Sequence, residues 1–212
     1  ACLSDEEKAK GVIACSAGNH AQGVALSATK LGIRSVVCMP DAAPISKIHA
    51  TENYGAEVVL VPGTYDDAAA KATQLAKEHG YTFAHPFDDE YVIAGQGTIG
   101  IEILEQLPEV QQVVVPIGGG GLIAGIAMAI KTLRPSCRII GVQAAGAPSM
   151  YNSIRQGEIS TLSHVSTIAD GIAVKRPGDL TFELVKKYVD DVVVVDDNQV
   201  AAAIVALMED QK

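Results

Sequence analysis

Short apolar runs alternate with longer amphipathic stretches along most of the chain. The runs are rich in valine and isoleucine and stop at Gly, Pro or polar residues, which is typical of strands, whereas apolar residues three or four positions apart predict helices. The predicted strands are 12–15, 35–39, 57–61, 81–85, 113–117, 138–142 and 192–195. The helices predicted from spacing are 20–31, 45–54, 92–106, 122–133, 148–156, 180–188 and 200–208.

Local signals mark the ends of further helices. Thr64 is followed three residues later by Asp67, which resembles a capping box, and an alanine-rich helix then runs to Gly80. Near the end of the chain, Asp196 or Asp197 can cap the last predicted helix through its side-chain oxygen. These signals depend on a few neighbouring residues, so they predict helix ends without any knowledge of the fold.

The strands are continuous β-branched runs rather than alternating ones. Examples are the valines at 113–115 and at 192–195. Such runs are typical of parallel strands that are buried on both faces under helices. Together with the regular alternation of strand and helix, they predict an α/β protein made of two doubly wound lobes with mostly parallel sheets. The segment 107–112 is the expected seam between the two sets of strand–helix units.

Composition excludes several classes of protein. The 212 residues are 48% hydrophobic and 19% charged, with a formal net charge of -9. This apolar content is too high for a disordered chain, and the net negative charge does not indicate the basic surface that binds nucleic acid. The sequence contains no apolar run long enough for a membrane span and no signal peptide pattern. Its four cysteines form no C-x-x-C pair, which predicts reduced thiols in a cytoplasmic protein.

Four consecutive glycines, Gly118 to Gly121, lie between a predicted strand and a predicted helix. Their amides and that of Leu122 are expected to point into one concavity, where the helix N-terminus adds positive potential, and such a cradle suits a phosphate. One alternative is a dinucleotide fingerprint, Gly119-x-Gly121-x-x-Ala124, but the next strand ends at Gln143 rather than at the required acid. The other alternative is a tight turn, for which one or two glycines would suffice.

The segment 16–23 is rich in polar groups and follows the first predicted strand. It opens a helix whose N-terminus favours an anion, here a carboxylate, and Asn19 can donate an amide hydrogen to a ligand oxygen. The alternative interpretations are Ser16 as a helix N-cap and His20 as a packed helix residue. Ligands of open α/β sheets bind at the carboxyl ends of strands, so the two loops predict a small molecule held between two lobes.

Four segments, in order along the chain, resemble the threonine/serine dehydratases. They are GVIACSAGNHAQGVALSATKLGI at 11–33, IAGQGTIGIEI at 93–103, VPIGGGGLIAGIA at 115–127 and IADGIAVKRPGD at 168–179. These dehydratases belong to the tryptophan-synthase-β-like, fold type II pyridoxal-phosphate enzymes. The resemblance implies pyridoxal 5′-phosphate as cofactor and a smaller mobile lobe over 12–106. It also implies that 107–212, together with 1–11, form part of a larger lobe that binds the cofactor phosphate and is incomplete here.

The resemblance also implies roles for individual residues. Those expected to bind the cofactor are Asn19, for the pyridine 3′-oxygen, and Gly118, Gly119, Gly120, Gly121 and Leu122, for the phosphate. Those expected to close on the substrate carboxylate are Ser16, Ala17, Gly18 and His20. Asp170 and Gly171 are expected near the cofactor and substrate.

The reaction that the resemblance implies is β-elimination. Threonine would give 2-oxobutanoate and ammonia, and serine would give pyruvate and ammonia. Serine racemases are similar but carry a serine at the position of Ala17, so this residue favours the dehydratase; cysteine synthases are a weaker alternative. The implied partners are an amino-acid substrate and further copies of the chain in a homo-oligomer, with neither nucleic acid nor membrane. The implied role is in cytoplasmic amino-acid metabolism, including isoleucine biosynthesis.

Two features depart from the family pattern. The lysine that forms the Schiff base is expected in a Ser-Phe-Lys-x-Arg-Gly segment, which this sequence does not contain, and Lys8 and Lys10 lie in the wrong context. We therefore assign no catalytic residue, and we expect a fragment that is inactive alone or serves as a catalytically dead cofactor-binding module. Gln143 replaces the acid that racemases use for a divalent ion, so no metal site is assigned.

Overall fold

The structure is a computed structural model that describes residues 2–210. The chain divides into two compact units, one extending to Pro86 and the other beginning at Phe87. None of the described helices is both long enough and apolar enough to cross a membrane.

The first unit contains a four-stranded parallel sheet in the order β3-β2-β1-β4. Helices α2 and α3 cover one face, where Ala21 and Ala25 pack against Val37, and α4 covers the other face. Its elements are α1 (Asp5–Lys10), β1 (Val12–Cys15), α2 (Asn19–Lys30), β2 (Ser35–Pro40), α3 (Ile45–Asn53), β3 (Glu57–Val61), α4 (Tyr65–His79) and β4 (Thr82–Phe83). The sheet is therefore doubly wound, as the sequence predicts.

The second unit contains a three-stranded parallel sheet in the order β5-β6-β7. Its core joins the sheet to α6 and α8 through residues such as Val115, Ile126 and Phe182. Its elements are α5 (Glu90–Gln106), β5 (Gln112–Pro116), α6 (Gly121–Leu133), β6 (Arg138–Ala144), α7 (Ser149–Gln156), a 3-10 turn (Asp170–Ile172), α8 (Asp179–Tyr188), β7 (Asp191–Val195) and α9 (Asp197–Asp210).

The predicted helix caps are present. The hydroxyl of Thr64 accepts from the amide of Asp67, whose carboxylate accepts in return from the Thr64 amide, so α4 begins with a capping box. Of the two candidates for the last helix, Asp196 is the cap, because its carboxylate accepts from the amide of Gln199. Asp197 instead accepts from the hydroxyl of Thr167.

Burial of the second sheet differs from the expectation. Val115 is 2% exposed, but Val114 is 55% and Val193 37% exposed. Alternate residues of a strand point to opposite faces, so Val115 lies on the face that carries the core, whereas Val114 and Val193 lie on the face opposite. The prediction that these valine runs are buried on both faces is therefore wrong for β5 and β7, although β1 is buried throughout.

The division between the units lies before α5 rather than at 107–112. Helix α5 belongs to the second unit because it packs closely along α6. Gly97 and Gly100 face the backbone of α6, where an added Cβ would come within 3.2 Å of the Gly125 oxygen and 3.0 Å of the Ile126 oxygen, respectively. Residues 2–11 likewise belong to the first unit.

Candidate functional site

The glycine loop, residues 118–121, connects β5 to α6. Gly120 is the N-cap of α6, with φ of 103°, and no side chain caps this end of the helix. Among the hydrogen bonds of the described residues, none is donated by the amides of residues 118–123; the first amide that donates is that of Ala124, to the Gly120 oxygen. A run of six amides without a protein acceptor, at the positive end of a helix dipole, suits an anion such as a phosphate.

Protein neighbours leave no room for a Cβ at Gly119, Gly120 and Gly121, and little room at Gly118. A Cβ on Gly119 would overlap the ring of Phe87, and one on Gly121 would lie 2.8 Å from the Cα of Phe87. A Cβ on Gly118 would lie 3.1 Å from the side chain of Val174, and one on Gly120 would lie 2.9 Å from Thr181. Packing, which was not among the expectations from the sequence, therefore accounts for glycine at three of these positions. The glycines alone do not indicate a ligand, whereas the amides without acceptors do.

Asp170 and Gly171, expected near the cofactor, lie next to this loop. They form the 3-10 turn Asp170–Ile172, and a Cβ on Gly118 would be 3.6 Å from the Gly171 oxygen. The structure thus brings together two segments that are more than fifty residues apart in the sequence.

Gln143 is fully buried at the end of β6. Its side-chain amide donates to the Ile117 oxygen at 3.3 Å, and its Oε1 accepts from the Tyr151 amide at 2.8 Å. The side chain therefore links the backbone just before the glycine loop, at Ile117, to the backbone of α7, at Tyr151. A neutral amide in this position gives no acceptor carboxylate for a ribose, which argues against the dinucleotide interpretation.

The asparagine loop, residues 16–19, follows β1 and leads into α2. In the sheet order β3-β2-β1-β4, the chain moves to one side of β1 and later returns to the other, so this loop lies at the topological switch point, where open α/β sheets bind ligands. Gly18 is the N-cap of α2 and supplies no side-chain bond. No described hydrogen bond is donated by the amides of Asn19 and Ala21, so this helix end also presents free donors.

The two alternative readings of this loop have different outcomes. The hydroxyl of Ser16 accepts from the amide of Gly18 at 3.2 Å, a local turn that does not cap α2, so the interpretation of Ser16 as N-cap is wrong. The Nε2 of His20 lies 3.0 Å from the Ala84 oxygen. Because a carbonyl only accepts, Nε2 carries the proton, and the ring ties α2 to the end of β4. This bond supports the interpretation of His20 as a packed helix residue.

The two ionisable side chains next to the start of the asparagine loop, Cys15 and Tyr65, are not in their nucleophilic forms. Cys15, which precedes it, is fully buried, and burial together with the neighbouring Cys38 raises the pKa of its thiol to about 12. The Tyr65 hydroxyl donates to the Cys15 oxygen at 3.4 Å, and burial raises the pKa of this phenol as well. Both groups are protonated at neutral pH. Within residues 2–210, no three His, Cys, Asp or Glu side chains lie close enough together to hold a metal ion.

These features define an α/β protein in which two helix N-termini, at the carboxyl ends of parallel strands, carry amides without acceptors among the described residues. The chain belongs to the family of pyridoxal-phosphate-dependent enzymes, whose model matches residues 1–212. It is 54% identical over 210 residues to an L-threonine ammonia-lyase from Thermotoga maritima, an alignment that covers 99% of the chain and 52% of the relative. The chain thus spans about half the length of that curated relative.

Solved structures agree with this assignment. The processed form of threonine deaminase isoform 2 from Solanum lycopersicum superimposes with a TM-score of 0.95 and 44% identity, covering 100% of the chain and 62% of that structure. A maize serine racemase superimposes with a TM-score of 0.93 and 40% identity, covering 98% of the chain and 63% of that structure. The predicted tryptophan-synthase-β-like fold and the resemblance to the threonine/serine dehydratases are confirmed.

Proposed function

We propose that this chain supplies the cofactor-phosphate loop and the substrate-carboxylate loop of a threonine/serine dehydratase, which converts threonine to 2-oxobutanoate and ammonia, or serine to pyruvate and ammonia. The observation that carries the proposal is the run of six amides without protein acceptors at the start of α6, in a chain that the family model matches throughout. The Thermotoga maritima relative, named as an L-threonine ammonia-lyase, supports the choice of substrate.

The glycine loop binds the phosphate of pyridoxal 5′-phosphate through the amides of Gly118 to Leu122. Hydrogen bonds from amides to an ionised phosphate are among the stronger ones in proteins, and the dipole of the 13-residue helix α6 adds to them. When bound, the cofactor supplies an electron sink for the negative charge that develops at the substrate Cα.

The asparagine loop binds oxygen atoms of the ligands. Asn19 is exposed, so its side-chain amide is available to donate to the pyridine 3′-oxygen. Ser16, Ala17, Gly18 and His20 form the turn that receives the substrate carboxylate at the N-terminus of α2. The Gly18 amide is already engaged by Ser16, which fixes the turn before a ligand arrives.

Ala17 selects elimination over racemisation. A racemase needs an acid on the second face of the substrate Cα, and the methyl group of Ala17 has no proton to give. This side chain packs instead against the apolar cluster around Val37 and Met39. Neither residues 16–23 nor residues 116–124 include a lysine, so we propose anchored binding of the cofactor for this chain and turnover for the complete enzyme.

The phosphate loop is tested with pyridoxamine 5′-phosphate, which has no aldehyde and cannot react with surface lysines. Its affinity is measured by fluorescence titration and compared with that of pyridoxamine, the same ring without the phosphate. We expect pyridoxamine to bind at least about 100-fold more weakly, because several charge-assisted hydrogen bonds are lost. Inorganic phosphate should compete with the first ligand. Equal affinity for the two amines would contradict the proposed phosphate site.

A further inference from the structure

The hydroxyl of Thr181 is tied to the glycine loop. Thr181 is fully buried in the first turn of α8, and its Oγ1 donates to the Gly119 oxygen at 2.6 Å. The amide of Gly178 donates to the same oxygen at 3.2 Å. The carbonyl of Gly119 therefore has two donors, both from the start of α8, although the two segments are about sixty residues apart.

This pair of bonds fixes the direction of the next amide. The carbonyl of Gly119 and the N–H of Gly120 belong to one planar trans peptide, in which they point in opposite directions. With the carbonyl held toward α8, the Gly120 amide must point away from α8. Gly120 itself has φ of 103°, and a run of glycines samples many conformations unless it is tethered. Without the tether, rotation of this peptide would remove one donor from the loop.

Asp88 fixes the start of α8, which carries Thr181. Its carboxylate accepts from the amides of Asp179 at 3.0 Å, Leu180 at 3.0 Å and Thr181 at 3.1 Å. It thus caps α8 and fixes the backbone of Thr181. The preceding residue, Phe87, packs its ring against Gly119. The segment of Phe87 and Asp88 therefore holds both partners of the Thr181–Gly119 bond.

We propose that Thr181 is a positioning residue for the phosphate loop: its hydroxyl sets the Gly119–Gly120 peptide so that the Gly120 amide donates to the ligand phosphate. The proposal rests on the function proposed above. In this proposal, a residue outside the glycine loop controls the direction of an amide donor inside the loop.

The test uses Thr181→Val, which keeps the shape of the side chain but removes the hydroxyl, and Thr181→Ser, which restores the hydroxyl. We expect the affinity for pyridoxamine 5′-phosphate to fall about 10- to 100-fold in the valine variant, as for one lost hydrogen bond to a charged group, and to recover in the serine variant. Wild-type affinity in Thr181→Val would overturn the proposal. So would an equal loss in both variants, because the hydroxyl would then not be the determinant.

Thr51→Val is the matched control. Thr51 is 1% exposed in the first unit, and its hydroxyl donates to the Lys47 oxygen at 3.0 Å within α3. Its removal should lower the melting temperature to a similar degree without changing the affinity for pyridoxamine 5′-phosphate. A loss of affinity in this variant as well would show that general destabilisation explains the effect and would overturn the proposal.

Backbone order without ligand separates this proposal from the proposed function. We expect 15N order parameters of Gly119 and Gly120 near about 0.85 in the wild type and below about 0.6 in Thr181→Val. If the wild type does not bind pyridoxamine 5′-phosphate, the phosphate site is wrong, while a drop in order confined to Thr181→Val still supports the positioning role. Unchanged order parameters in Thr181→Val would overturn that role.

Discussion

Gly125 of α6 faces Gly97 of α5, and a Cβ on Gly125 would lie 2.7 Å from the Gly97 amide nitrogen. It would also overlap the Ile93 oxygen, so the two helix backbones are in direct contact. This contact places α5 in the second unit, against the core strand–helix pair that carries the glycine loop.

Substitution of Gly125 by alanine should therefore destabilise the second unit. We expect a loss of about 1–3 kcal/mol, because the backbone cannot move aside without separating the helices. Gly95→Ala is the control, because Gly95 is exposed on the partner helix α5 and nothing lies within 4 Å of an added Cβ. Alanine at this position should stabilise the helix by about 0.5–1 kcal/mol. Urea unfolding measures both effects. Destabilisation of equal size in both variants would contradict the assignment of the cost to close packing at Gly125.

Two adjacent aspartates cap two different helices. Asp88 accepts from three amides at the start of α8, and Asp89 accepts from the amides of Tyr91 and Val92 at the start of α5. We expect Asp88→Ala and Asp89→Ala each to cost about 1 kcal/mol. Hydrogen exchange should tell them apart, with faster exchange in α8 for the first variant and in α5 for the second. Faster exchange in the same helix for both variants would contradict this assignment.

The contrast between these caps shows what the sequence can predict. The capping box of Thr64 and Asp67 was recognisable because both residues lie in one helical turn. The strands Val12–Cys15 and Glu57–Val61 were recognisable because each is a short apolar run. Asp88 caps a helix more than ninety residues away. Such a contact depends on the folded chain and leaves no local pattern.

The candidate site shows the same limit. The two loops were recognisable because a glycine run and a donor-rich turn each follow an apolar strand. The roles of Phe87 and Thr181 beside Gly119 were not, since their segments meet only in the tertiary structure. Threonine near the start of a predicted helix was the one available signal, and it is far more often a cap or a surface residue.

The two faces of β5 give a direct test of the burial pattern. Val115 lies in the core, whereas its neighbour Val114 is 55% exposed. We expect Val115→Ala to cost about 2 kcal/mol, since two buried methyl groups are lost and a cavity remains. Val114→Ala should change the stability by no more than about 0.5 kcal/mol. Equal costs measured by urea unfolding would show that the outer face is covered in solution.

The cysteines should differ sharply in reactivity. Cys2 is exposed, while Cys15, Cys38 and Cys137 are buried. Burial raises the pKa of Cys15 to about 12 and also raises the pKa of Cys38, so these thiols lack both access and charge. A thiol-specific chromogenic disulfide at pH 8 should titrate one group quickly in the native protein and four in denaturant. Cys2→Ser should abolish the fast reaction. Rapid reaction of any remaining thiol in that variant would contradict the burial of Cys15, Cys38 and Cys137.

The capping box of α4 predicts a response to acid. The backbone amide and the hydroxyl of Thr64 both donate to the Asp67 carboxylate, and these bonds lower its pKa. A carboxyl whose pKa is lower in the folded state stabilises the fold above the pKa of the unfolded chain, and this contribution is lost as the pH falls below about 4. Asp67→Asn should therefore lower the urea midpoint at pH 7 but have progressively less effect toward pH 3. Asp66→Asn, in the same helical turn, controls for the loss of a charge near the helix dipole. A deficit of Asp67→Asn that stays constant from pH 7 to pH 3 would show that side-chain geometry, rather than ionisation, makes this cap stabilising.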